Sequence, residues 1–138
     1  MTHADPMAVA ELFLEARPSS IRAARQWAVK HARDCEVAPG MVRVIELLTS
    51  ELAANALAHG PTEPVRVRAG LAGDRFLVHV VDAGDDLPVV RSTGPEVPGG
   101  HGLRLVERLA EAWGVEPHRD GGKTVWFAVR TDGESPLS

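Results

Sequence analysis

Residues 41–69 read MVRVIELLTSELAANALAHGPTEPVRVRA, and the hydrophobic period changes inside this stretch. Met41, Ile45, Leu48 and Leu52 recur at helical spacing, so residues 41–59 predict an amphipathic helix that Gly60-Pro61 ends. Beyond it, Val65-Arg66-Val67-Arg68-Ala69 alternates strictly, as a half-buried strand does. A helix handing over to a strand of period two sets the class: helices first, strands after.

Working outward, Pro39-Gly40 separates this helix from an earlier one over residues 21–33, with Ile21, Ala24, Ala28 and Ala32 in helical phase. Pro18-Ser19-Ser20 ahead of it reads as a stop followed by an N-cap signal. Residues 8–16 fit a first strand or a short helix, and periodicity does not separate the two. On the other side, Gly73-Asp74 marks a hairpin turn into a strand over residues 75–82. Residues 83–101 form a long Gly/Pro/Asp-rich loop, of the kind that is commonly a functional lid or disordered. A third helix is expected over residues 103–112. Strands over residues 114–118 and 123–130 flank a Gly121-Gly122 turn. The expected fold is α+β: a two-layer sandwich, with a mixed but mainly antiparallel sheet and about three helices on one face. One domain over residues 8–130 is expected, with residues 1–7 and 131–138 as flexible termini.

Composition narrows the function. The 138 residues are 44% hydrophobic and carry a formal charge of −4, which suits a globular core and argues against a nucleic-acid coat or a polybasic membrane patch. Cys35 is the only cysteine, so no intrachain disulfide forms, and a spectator thiol in a reducing cytoplasm is expected. The N-terminus lacks a charged stretch leading into an apolar run, and no apolar stretch approaches the roughly 18 residues of a membrane span. The six histidines are scattered without metal-ligand spacing. Trp27, Trp113 and Trp126 are expected in the core.

Polar residues in apolar positions locate the candidate chemistry. Asn55 falls on the core stripe of the second helix, with Glu51 one turn before it. A carboxylate beside an amide oxygen suits a hard cation and proton abstraction, while a hydrogen-bonded asparagine at a helix edge is the plainer alternative. Asp82 shares parity with Phe76, Val78 and Val80, so a carboxylate ends an apolar strand face. It accepts from the amine of a flat ligand approaching over Gly84, or it opens an ordinary Asp-x-Gly turn. Gly99-Gly100-His101-Gly102-Leu103 precedes the third helix, where backbone N–H groups cradle an anion or a flexible connector runs. Arg104 follows in what reads as the first turn, an odd charge there unless it faces a phosphate. Thr124, by itself an ordinary strand residue, begins the last strand.

These pieces in this order resemble the GHKL ATPase superfamily. Glu51-Leu-Ala-Ala-Asn55-Ala-Leu-Ala-His59-Gly60 is similar to its N box, and Val81-Asp82-Ala83-Gly84 to its adenine box. Gly100-His101-Gly102-Leu103-Arg104 is similar to its phosphate-side glycine box, and Gly122-Lys123-Thr124-Val125-Trp126-Phe127 to its closing strand. The likeness runs from about Phe13 to Val129. The brevity of the chain and the Leu-Ala-x-x-Trp-Gly-Val run at 109–115 resemble the anti-sigma-factor serine kinase branch most. The resemblance implies the Bergerat ATP-binding sandwich and roles by position. Glu51 is the implied general base, and Asn55 holds Mg2+ on the phosphates of ATP. Asp82 accepts from the adenine amine with Thr124 in support, and Gly84 lets the base approach. Gly100, Gly102 and Leu103 lend N–H groups to the phosphates. Two departures stand out: Asp85-Asp86 follow Gly84 where many relatives carry a second glycine, and His101 replaces a frequent lid arginine.

The implied activity is serine/threonine phosphorylation of a small anti-anti-sigma (STAS-type) protein, which switches a sigma factor between partners. The alternative is a nucleotide-dependent binding module without phosphotransfer. Neither reading calls for direct contact with nucleic acid or membrane, and a homodimer is compatible with both.

Overall fold

The computed structural model describes residues 10–58, 63–83, 100–119 and 121–133, with the backbone alone described at residues 100–102. The elements are β1 (Ala10–Leu14), α1 (Ser19–Asp34), α2 (Pro39–Leu57), β2 (Val65–Ala72), β3 (Arg75–Asp82), α3 (Gly100–Leu109), β4 (Ala112–Pro117) and β5 (Lys123–Arg130). The strands form one sheet in the order β1-β2-β3-β5-β4, antiparallel at every described pairing. The α+β sandwich expected above is therefore the fold.

Pairing decides what local periodicity left open. Residues 10–14 are a strand because Leu12 and Leu14 register opposite Val67 and Val65, adding an edge to the helix-facing side of β2. Gly73, at φ +64°, makes the two-residue turn between Ala72 and Arg75, a conformation open to glycine without a Cβ penalty. Ser19 and Ser20 do not cap α1. Pro18 is the residue before the helix, and Ser20 Oγ donates to the Glu15 carbonyl at 2.7 Å. The third helix begins at Gly100 and ends at Leu109, so Ala112 already pairs with Ala128 in β4.

The helices cover one face of the sheet. Phe76, Val78 and Val80 of β3 and Val125, Phe127 and Val129 of β5 join Ile45, Leu48 and Leu52 of α2 in one buried cluster. Ala24, Ala28 and Ala32 are fully buried on α1, and such small residues let α1 and α2 approach closely. Trp27 and Trp113 pack against this core, but Trp126 sits on the opposite sheet face, in register with Gly114. A Cβ at Gly114 would stand 2.8 Å from the Trp126 indole nitrogen, so the ring lies over that glycine. The chain stays hydrogen bonded past residue 130: Thr131 N–H donates to the Asp74 carbonyl, and Ala38 N–H to the Thr131 carbonyl, at 2.9 and 2.8 Å.

Candidate functional site

Connectivity gathers the candidate residues at one end of the sheet. The Ala38–Thr131 bond anchors the start of α2 beside the end of β5, whereas its C-terminal half leads toward the start of β2. Arg66 near the start of β2 pairs with Val81, so the start of β2, the end of β3 and the start of β5 share that end. The last turn of α3 leads directly into Ala112, opposite Ala128 at the far end, so α3 starts on the site side. Asn55, Asp82, Lys123 and the first turn of α3 thus belong to the same end of the molecule.

Asn55 is 7% exposed on α2, and Glu51, one turn earlier, is half-buried. The helix-facing register brings Asp82 opposite Lys123, one rung beyond Val80 and Val125. Lys123 Nζ donates to Asp82 Oδ2 at 2.9 Å, and the two side chains are only 2% and 4% exposed. Removing one partner of such a pair costs about 3–5 kcal/mol, because a charge is left in a poorly solvated place. Gly122, at φ +86°, sets the approach: a Cβ there would lie 2.5 Å from the Asp82 carbonyl oxygen. Only a glycine lets the turn lie this close to the end of β3.

The register does not bring Thr124 to Asp82. Thr124 opposes Val81 and Glu116, so strand alternation turns it to the other sheet face. There a 2.7 Å hydrogen bond links its hydroxyl to His118 Nε2. Lys123 holds the position expected of Thr124, and its signal was present in the sequence: a cation in phase with Val125, Phe127 and Val129.

Gly100 and Gly102 lie inside the first turn of α3 rather than in a preceding loop. The first four N–H groups of a helix lack intrahelical acceptors, so Gly100, Gly102 and Leu103 carry the expected donor type. The Leu103 side chain is buried in the core. Arg104 is the fifth residue of α3, just past the first turn, and is exposed. Gly84, Asp85 and Asp86 lie outside the described residues, as do His59 and Gly60.

The donor set fits Mg-ATP in outline. A buried carboxylate paired with a buried ammonium offers an acceptor and donors, and the buried Asn55 amide, one helical turn from the half-buried Glu51 carboxylate, offers a further oxygen. Among the described residues no cluster of three or more His, Cys, Asp or Glu could cage a metal. Mg2+ on a nucleotide keeps waters and phosphate oxygens and takes one or two protein ligands. An apolar cavity of about 250 Å3 lies between residues 16–21 and 54–58, and Asp82 does not line it. Burial, then the Asp34 charge, raises the pKa of Cys35, holding it as a neutral thiol. Among the described residues no helix is long and apolar enough to cross a membrane.

Residues 14–129 match the family described as the histidine kinase-like ATPase domain. No curated protein sequence matches at comparable stringency. Among solved structures, the RsbU and RsbW domains of Rv1364c from Mycobacterium tuberculosis share the fold at TM-score 0.71 and 22% identity, over 94% of this chain. This chain spans 34% of the length of that two-domain chain. The histidine kinase domain of the E. coli osmosensor EnvZ aligns at TM-score 0.48 and 14% identity, over 100% of this chain and 97% of its own. With a family match over residues 14–129, most of its length, the chain belongs to the histidine kinase-like ATPase family.

Proposed function

We propose that this chain binds Mg-ATP and phosphorylates a serine or threonine on a small anti-anti-sigma (STAS-type) partner, acting as a cytoplasmic anti-sigma-factor kinase that regulates transcription by partner switching. The observation that carries this reading is the inward-facing Asp82 carboxylate at the end of β3, at the same sheet end as Asn55 and the start of α3. A buried carboxylate and a buried amide on one apolar face need hydrogen-bond partners, and Lys123 supplies one of them to Asp82.

Bound Mg-ATP supplies the phosphoryl group and the metal charge that offsets the phosphates. Asp82 accepts from the adenine amine and so orients the nucleotide. Asn55 contributes its amide oxygen toward the metal, and the N–H groups of the first α3 turn meet phosphate oxygens. Glu51 takes the proton of the partner's hydroxyl as its oxygen bonds to phosphorus and the bond from phosphorus to the ADP oxygen breaks. The half-buried position of Glu51 leaves it reachable by a partner side chain.

The sequence departures favour one second reading. Asp85-Asp86 add carboxylates after Gly84 and His101 replaces a frequent lid arginine, and both departures suit a nucleotide-dependent module that grips its partner without transferring phosphate. Incubation with γ-labelled ATP and STAS-domain proteins separates the two. Covalent label on a serine or threonine is expected, with Glu51→Gln lowering the rate about 100-fold or more. An unchanged rate in Glu51→Gln would remove the base from Glu51, and label absent from every partner would favour the binding module.

A further inference from the structure

Lysines usually carry the ammonium out to water along their alkyl stems. Lys123 turns inward and is 2% exposed at the start of β5, on the helix-facing side. Its ammonium has three N–H donors, and the bond to Asp82 Oδ2 uses one. Among the described residues Lys123 makes no other side-chain hydrogen bond or ion pair. Two charged donors are therefore left over in a place where unmet donors are costly.

We infer that Lys123 is a second reader of the nucleotide base, donating to a ring nitrogen that flanks the exocyclic amine accepted by Asp82. This rests on the proposed placement of adenine at Asp82. The amine of adenine stands between two ring-nitrogen acceptors, N1 on one side and N7 on the other. A carboxylate with an ammonium 2.9 Å from it is an acceptor beside a donor, the complement of either edge. A carboxylate alone would hold the amine but leave the neighbouring ring nitrogen stripped of water and unpaired. Guanine puts a carbonyl oxygen where adenine has its amine, so its O6 would meet the carboxylate. The pair thus reads a 6-aminopurine at two points, and without nucleotide Lys123 supplies the countercharge that lets Asp82 stay inside.

Calorimetry of the full chain with ATP, 1-deaza-ATP and 7-deaza-ATP tests this, each analogue replacing one ring nitrogen by C–H. One of the two is expected to bind the unaltered protein about tenfold or more weakly than ATP, and which one identifies the nitrogen. Lys123→Met should bind that analogue and ATP alike, and Lys123→Gln, which keeps an N–H donor, should recover part of the difference. Should Lys123→Met fail to fold, the analogue series on the unaltered protein still decides. Equal binding of all three ligands to the unaltered protein overturns the inference. So does full discrimination in Lys123→Met, or tighter ATP binding by that variant, which would make the lysine a competitor of the base. Purine riboside triphosphate lacks only the amine. If it bound as tightly as ATP, or if no nucleotide bound, the adenine placement at Asp82 would fall instead.

Discussion

Thr49 sits fully buried midway along α2, and its hydroxyl has no hydrogen-bond partner. Valine has nearly the same shape without the polar atom, so Thr49→Val should stabilise the fold by about 1 kcal/mol. Urea unfolding with a higher midpoint and an unchanged slope would bear this out; a lower midpoint would mean that the hydroxyl is satisfied. Single residues were also where the sequence was most and least legible. Asp82 could be found because its phase with Phe76, Val78 and Val80 marks a carboxylate on an apolar face. Lys123 obeys the same rule with Val125 and Phe127, yet its pairing depends on the register of β5 against β3, which no local pattern encodes. The face of Thr124 was hidden for the same reason, since one position along a strand reverses the face.

At the level of elements, α1 ends in a left-handed turn that a non-glycine residue occupies. Glu36 has φ 59°, while its N–H donates to the Arg33 carbonyl and the Val37 N–H to the Ala32 carbonyl. These are the paired bonds of a Schellman ending, where glycine avoids the steric penalty of a Cβ. Glu36→Gly should therefore raise stability by about 0.5–1 kcal/mol, read as a higher thermal midpoint, and a lower midpoint would show that the glutamate side chain contributes there. The two long helices and the β2–β3 hairpin were legible because their hydrophobic periods are sustained and their turn residues are distinctive. The start of α3 was not. Gly100 and Gly102 are poor helix formers, and the burial of Leu103 and Val106 against the core offsets their low propensity.

For the molecule as a whole, the strand order places β5 beside β3, with α3 and β4 between them in the chain. That non-local pairing builds the site, because it sets Lys123 against Asp82 and brings the end of β3 to the end of the sheet where α3 begins. Motif order in the sequence pointed to such a gathering, but the neighbours of each side chain emerged only with the sheet order. The proposed function depends above all on the buried carboxylate of Asp82 holding the base of ATP. Its most direct test is calorimetric titration of Mg-ATP into the unaltered chain and into Asp82→Asn, with circular dichroism confirming that both are folded. Measurable binding by the unaltered chain and a loss on the order of 100-fold in the variant are expected. Equal affinity in the two folded proteins would contradict the claim.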